Sequence, residues 1–159
     1  VNHWPPVDNA QQNKLEPERE KMKALYTAHA TATGEGRKGH VKSDDGLLDL
    51  DLAMPPGLGG KGGATNPEQL FAAGYSACFH SALKLTAGKL GVDVSDSTIS
   101  AHVGIGQVDG GFKLEVTLDA KLPNASLEDA KKAVEAAHQV CPYSNATRGN
   151  IEVTLNVIE

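Results

Sequence analysis

Aromatic residues are scarce in this chain, at 4% of 159 positions, so a core built from it rests mainly on Leu, Val, Ile and Ala. Basic charge is also in short supply. Lys and Arg number 15 against 20 Asp and Glu, for a formal net charge of -5, and no basic stripe offsets the balance. That argues against nucleic acid as a partner. No stretch approaches the ~20 consecutive apolar residues that cross a bilayer. The N-terminus lacks the apolar segment of an export signal, so no membrane association and a cytoplasmic location are expected. Cysteine is limited to Cys78 and Cys141. One bridge is a thin scaffold for a secreted protein, and the plainest reading of two cysteines in a reducing compartment is two buried, inert thiols.

What is present suits one domain with a real core, since 40% of the chain is apolar and 22% charged. Residues 1–23, with Pro5-Pro6, the single Trp4 and alternating charges from Glu16 to Lys23, read as a flexible or partly helical N-terminal extension. The domain is expected over 24–159. Residues 25–33 alternate as a strand and run into the Gly-rich turn Gly34-Glu35-Gly36-Arg37-Lys38-Gly39. His40 opens the return strand. Leu48, Leu50 and Leu52 alternate with Asp49 and Asp51, which predicts a third strand with one buried face. The glycines of 55–64 do not make a phosphate-binding loop, because Lys61 precedes Gly62 where that loop needs Lys-Ser/Thr.

Thr65 and Asn66 compete to cap a helix that carries Pro67 in its first turn and stops at Gly91. Its expected inner face is Leu70, Phe71, Gly74, Ala77, Cys78, Ser81, Ala82 and Leu85. A hairpin follows over 98–108 and 112–122, turning at Asp109-Gly110-Gly111. Ser126 caps a second helix ending at Cys141, residues 147–150 form a turn, and 151–157 close the chain as a strand. The fold class is α+β, with two central helices packed with antiparallel sheets of about three strands each.

The chemistry turns on the thiols. Only the thiolate is a strong nucleophile, so a reactive cysteine needs a cation nearby. Arg37 sits in a turn where nothing structural demands a large basic side chain; it is either a solvated turn residue or a guanidinium that stabilises a thiolate. Glu68 is a helix-capping residue, the partner of Arg37 in a bidentate pair, or both, since the two roles are not exclusive. Ten residues separate Glu68 from Cys78, about 15 Å along a straight helix, so Glu68 reaches the thiol only through Arg37. Cys141 closes its helix at the carbonyl end, a poor place for an attacking thiolate and an acceptable one for a resolving thiol. His138 is a candidate base for Cys141 or a satisfied partner near the pocket, and Tyr143 and Arg148 are candidate supports. Cys78 and His80 point about 200° apart on a helix, which argues against a shared metal.

The segments Asn-Pro-Glu-Gln-Leu-Phe-Ala-Ala-Gly-Tyr-Ser-Ala-Cys-Phe at 66–79 and Ala-His-Gln-Val-Cys-Pro-Tyr-Ser-Asn-Ala-Thr-Arg-Gly-Asn at 137–150 resemble the organic hydroperoxide resistance proteins, within the larger group of osmotically inducible protein C. The resemblance covers roughly 23–159. It implies an intertwined homodimer with two active sites near the interface, and a thiol peroxidase without a bound cofactor. It makes Cys78 the reactive cysteine, Cys141 the resolving one, and Arg37 and Glu68 their supporting pair. The implied substrate is an organic or fatty-acid hydroperoxide, and the implied reductant a dihydrolipoyl dithiol on a protein or dihydrolipoamide. Leu70, Phe71 and Phe79 are the expected apolar lining. The alternatives are a sister subgroup with broader peroxide use, and a thiol-based redox sensor or binding protein.

Overall fold

The computed structural model describes residues 22–159, so the expected N-terminal extension, Trp4 included, lies outside the described residues except for Met22 and Lys23. Two three-stranded sheets and three α-helices follow in order. The first sheet holds β1 (Ala30–Thr33), β2 (His40–Ser43) and β3 (Asp49–Asp51), all antiparallel. Helix α1 (Pro67–Leu90) leads to β4 (Thr98–Val108) and β5 (Gly111–Lys121), then to α2 (Leu127–Val140), α3 (Pro142–Thr147) and β6 (Val153–Ile158).

Sequence logic accounts for most of these boundaries. Asn66 wins the contest for the α1 cap, its Oδ1 accepting from the Gln69 amide at 2.9 Å. Pro67 then occupies the first turn, where its missing N–H costs nothing. Gly91 ends the helix in the left-handed region at φ 68°. Ser126 caps α2 by accepting from the Asp129 amide at 3.1 Å. The β4–β5 hairpin turns through Asp109-Gly110.

Three features depart from expectation. The second sheet is mixed, because β5 and β6 pair in parallel. The segment between them carries two helices, and a crossover of that kind returns the chain in the same direction. The first strand is shorter than 25–33, with Leu25 and Tyr26 left 100% and 80% exposed. Residues 142–147 form a helix of their own, which Pro142 announces as a first-turn residue rather than a stop.

The core lies between the β4-β5-β6 sheet and the helices. Val116, Leu118 and Ala120 on β5 meet Tyr75, Phe79, Leu83 and Ala87 of α1 and Ala130, Ala133, Val134 and Ala137 of α2. The buried stripe of α1 is rotated from the expected one, because the bulk of Tyr75, Phe79 and Leu83 turns inward. Ala77, Ser81 and Leu85 therefore face outward. The first sheet is little covered within the chain, so the expected burial of one β3 face is incomplete and Leu50 remains exposed. Among the described residues, no helix is long and apolar enough to cross a membrane.

The first sheet is held by an exposed ionic clamp. His40 on β2 places Nδ1 2.7 Å from Asp51 and Nε2 2.6 Å from Asp49, and Lys42 approaches Asp49 at 3.4 Å. Both ring nitrogens face carboxylates, so the imidazolium is the fitting state. Hydrogen bonds to Asp51 and Asp49 raise the His40 pKa, and the bond to His40 lowers that of Asp49. A raised His pKa contributes stability below its unfolded value of about 6.5, lost as pH rises through the folded value. The lowered Asp49 contributes above its unfolded value, lost as pH falls through the folded one. The clamp is therefore strongest in mildly acidic to neutral solution. NMR titration should show the His40 ring titrating above an ordinary histidine, and D49N with D51N should return it downward.

Candidate active site

Helix α1 places Cys78 about three turns from its start, half-buried on the side that faces α2 and α3. Cys141 is fully buried at the elbow between α2 and α3. The fold brings these residues, 63 positions apart, to a Sγ–Sγ distance of 3.7 Å, and both are free thiols. This is van der Waals contact between sulfurs, so a disulfide can close by small local movement.

The elbow has its own architecture. Cys141 is at once the last residue capping α2 and the first capping α3, so the carbonyl end of one helix meets the amide end of the other. The expected single-ended dipole at Cys141 is thus replaced by two opposed ends. Tyr143, in the first turn of α3, lies across α1 at Gly74, where an added Cβ would sit 2.9 Å from its Oη and 3.2 Å from its Cε2. Its ring completes a cluster with Phe71 and Tyr75. Arg148 donates from Nη2 to the His138 carbonyl at 2.7 Å, tying the end of α3 to α2.

Arg37 and Glu68 also meet. Nη1 and Nη2 donate to the two carboxylate oxygens at 2.8 and 2.7 Å, which is a bidentate pair. The Glu68 side chain is only 12% exposed against 39% for Arg37. The hydrogen bond to Arg37 pulls the Glu68 pKa down against the opposing effect of burial. Arg37 is delivered by a single 3₁₀ turn, Gly36–Lys38, whose shape needs Gly36 at φ 59° and Gly39 pressed onto the Thr33 carbonyl. With Asn66 as the cap, Glu68 is left to the arginine.

The thiol of Cys78 is not poised by these partners within one chain. Burial pushes its pKa up first, the Tyr143 backbone amide pulls it down, and Cys141 adds to the rise. An apolar cavity of about 360 Å³ is lined by Arg37, Met54, Leu58, Ile105 and Phe112. The expected lining differs: Phe79 is fully buried in the core and Phe71 stacks on Tyr75 and Tyr143. Met54, Leu58 and Ile105 were illegible as lining residues, because a loop and a distant hairpin supply them.

His138 bonds Ser144 rather than acting on Cys141, its Nδ1 2.8 Å from Oγ. His80 meets Ser97 at 3.0 Å and ties α1 to the entry of β4. Among the described residues, no group of three or more His, Cys, Asp or Glu is placed to hold a metal ion.

This sequence and this fold have close counterparts among known proteins. The family model for OsmC-like proteins matches residues 60–156. The organic hydroperoxide resistance protein of Xanthomonas axonopodis pv. citri is 55% identical over 140 residues, spanning 85% of this chain and 96% of its own. The protein OhrB of Bacillus subtilis, named an organic hydroperoxide resistance protein, is 48% identical over 136 residues, 84% of this chain and 98% of its own. The crystal structure of an organic hydroperoxide resistance protein from Elizabethkingia anophelis superposes with a TM-score of 0.80 at 58% identity, over 86% of this chain and 98% of that one. The chain belongs to the OsmC-like family, and within it to the organic hydroperoxide resistance proteins.

The Arg37–Glu68 pair makes a testable statement about charge. A carboxylate with a depressed pKa keeps its pairing above the ordinary value and loses it as pH falls through the depressed one. In R37M the burial of Glu68 remains and its main counterweight is gone. Its titration midpoint, followed through the carboxyl ¹³C shift, should move from below the ordinary glutamate value to above it.

Proposed function

We propose that this chain is a thiol peroxidase that reduces organic hydroperoxides to alcohols. The observation that carries the reading is the 3.7 Å approach of Cys141 to Cys78, a dithiol at van der Waals contact with one member half-buried and the other enclosed. Membership among relatives named for organic hydroperoxide resistance supports the same substrate class.

In this reading the Cys78 thiolate attacks the distal oxygen of R–O–O–H. The O–O bond breaks, the alkoxide takes a proton and leaves as R–OH, and Cys78 becomes a sulfenic acid. Cys141 condenses with it to give the disulfide and water. A dihydrolipoyl dithiol, on a protein or as dihydrolipoamide, restores both thiols by exchange. That reductant rests on the family resemblance alone. A recycled dithiol suits the reducing cytoplasm.

Burial raises the Cys78 pKa, so the thiol needs a cation that its own chain does not supply at close range. Arg37 is anchored at Glu68, about 15 Å along α1 from Cys78. The cavity that Arg37 lines includes neither cysteine. These facts favour a homodimer in which one protomer's Arg37 and apolar cavity serve its partner's Cys78. Two uncovered surfaces fit that assembly: the stripe Ala73, Ala77, Ser81 and Leu85 on α1, and the exposed Leu47, Leu50 and Phe112. A helix apolar on opposite sides is stable when both are covered. Arg37, held by Glu68, retains free N–H donors for the thiolate and the peroxide oxygen. The cavity favours fatty or aromatic hydroperoxides, at about 25 cal/mol per Å² of apolar surface buried.

Single-domain organisation over 24–159 is part of this reading, with 1–23 outside the catalytic unit. Replacing Cys78 by Ser should abolish turnover of tert-butyl or cumene hydroperoxide with dihydrolipoamide. Replacing Cys141 should allow one stoichiometric oxidation and block recycling by the normal route. Multiple turnover in C78S at the wild-type rate would end the proposal. Equal rates on hydrogen peroxide and cumene hydroperoxide would instead favour the broader-specificity subgroup.

A further inference from the structure

Behind the two cysteines runs a chain of hydrogen bonds that the peroxidase reading does not use. His138 Nδ1 lies 2.8 Å from Ser144 Oγ, Ser144 Oγ lies 2.9 Å from the Tyr75 hydroxyl, and that hydroxyl lies 3.2 Å from Thr147 Oγ1. Tyr75 and Ser144 are 0% exposed and Thr147 is 2% exposed. The chain joins α2, α3 and α1, and Cys141 sits in the elbow between His138 and Ser144.

With Thr147 donating to a backbone carbonyl, one self-consistent set of bond directions follows. Thr147 has one hydroxyl proton and donates it to a carbonyl of the preceding turn, Tyr143 at 3.0 Å or Ser144 at 3.1 Å. Toward Tyr75 it can then only accept, so Tyr75 donates to Thr147. Its proton spent, Tyr75 accepts from Ser144, and Ser144 in turn accepts from His138. His138 must therefore carry its proton on Nδ1. Burial first, then the Arg148 charge, favours the neutral ring. In the neutral ring Nε2 is left as an acceptor. The Nδ1 proton is present in both the neutral and the charged ring, so the bond to Ser144 persists through titration of His138.

Resting on the peroxidase reading above, we propose that His138 is a positioning residue for the resolving step: through Ser144 and Tyr75 it clamps the α2–α3 elbow onto α1 and holds the Cys141 sulfur against Cys78. In that step the Cys141 S–H bond breaks and the Cys78 S–OH bond breaks. An S–S bond forms, and the thiol proton leaves with the hydroxyl as water. The Cys78 sulfur is reduced by one electron equivalent and the Cys141 sulfur oxidised by one. No outside oxidant or base is required, only that the two sulfurs stay in register. Without the clamp, the enclosed elbow has unmet donors and acceptors and relaxes away from α1.

The test separates the two oxidation steps in the full-length protein. Reduced wild type and H138L are mixed with one equivalent of cumene hydroperoxide and quenched at intervals with dimedone for mass analysis. Cys78 should still oxidise to the sulfenic acid in H138L, while disulfide formation, measured from that sulfenic acid, slows by about tenfold or more, the scale of one lost buried hydrogen bond. Excess peroxide should then drive the variant to the sulfinic acid. H138N, whose side-chain amide occupies the place of Nδ1–H, should recover most of the rate. H138Q, whose amide reaches toward Nε2, should not. S144A provides the same break from the other side should H138L fail to fold. Wild-type disulfide formation in H138L or S144A, or equal impairment of H138N and H138Q, would overturn the positioning role. Failure of the wild type to oxidise Cys78 at all would instead remove the peroxidase reading on which this one rests.

Discussion

The packing of α1 against the α2–α3 elbow is the constraint on which the site depends. A 24-residue helix carries Cys78, and a bend between two shorter helices carries Cys141. Neither element alone positions a sulfur relative to the other. Their register comes from a close approach at Gly74, where the Tyr143 ring occupies space that any side chain would fill, and from the buried hydroxyls of Tyr75, Ser144 and Thr147. Interiors of this density do not deform continuously, so the sulfur separation is set by the core as a whole.

Such enclosure has an electrostatic consequence. Removing water from Cys78 disfavours its thiolate, and a second thiol at 3.7 Å offers no positive charge in compensation. The same packing that places the Cys141 sulfur against Cys78 thus makes the Cys78 thiol harder to ionise. The counterweight must be a cation that does not compete for the space between the sulfurs. Arg37 suits that task because Glu68 fixes it with two of its five donors, leaving the others directed elsewhere. A free arginine would have to be ordered at each encounter, whereas a paired one has already lost that freedom.

Much of this was legible in the residues because it is local. The Asn66 cap, the Pro67 first turn, the Gly91 stop, the Ser126 cap and the β4–β5 turn each depend on a few adjacent positions. The pairing of Arg37 with Glu68 was one of the open readings, and the bidentate contact bears it out. What stayed hidden is non-local. Nothing in the spacing of Tyr75 and Ser144, 69 residues apart, announces a hydrogen bond. The parallel pairing of β6 depends on a crossover whose direction strand alternation does not encode. The inner face of α1 was placed only in part, with Phe71, Cys78 and Ala82 against the core and Ala77, Ser81 and Leu85 outside it, because both its sides carry small or apolar residues and periodicity alone cannot rank two such faces.

Pro142 shows how one residue serves both thiols. It starts α3 directly after Cys141, so the chain turns sharply enough to keep that sulfur enclosed. As a proline it offers no amide, so the earliest free N–H of the new helix belongs to Tyr143. That amide acts on Cys78 and eases its ionisation. Cys141 itself makes no side-chain cap to α3. The helix start therefore favours charge on the Cys78 sulfur, while Pro142 keeps the Cys141 sulfur enclosed beside it.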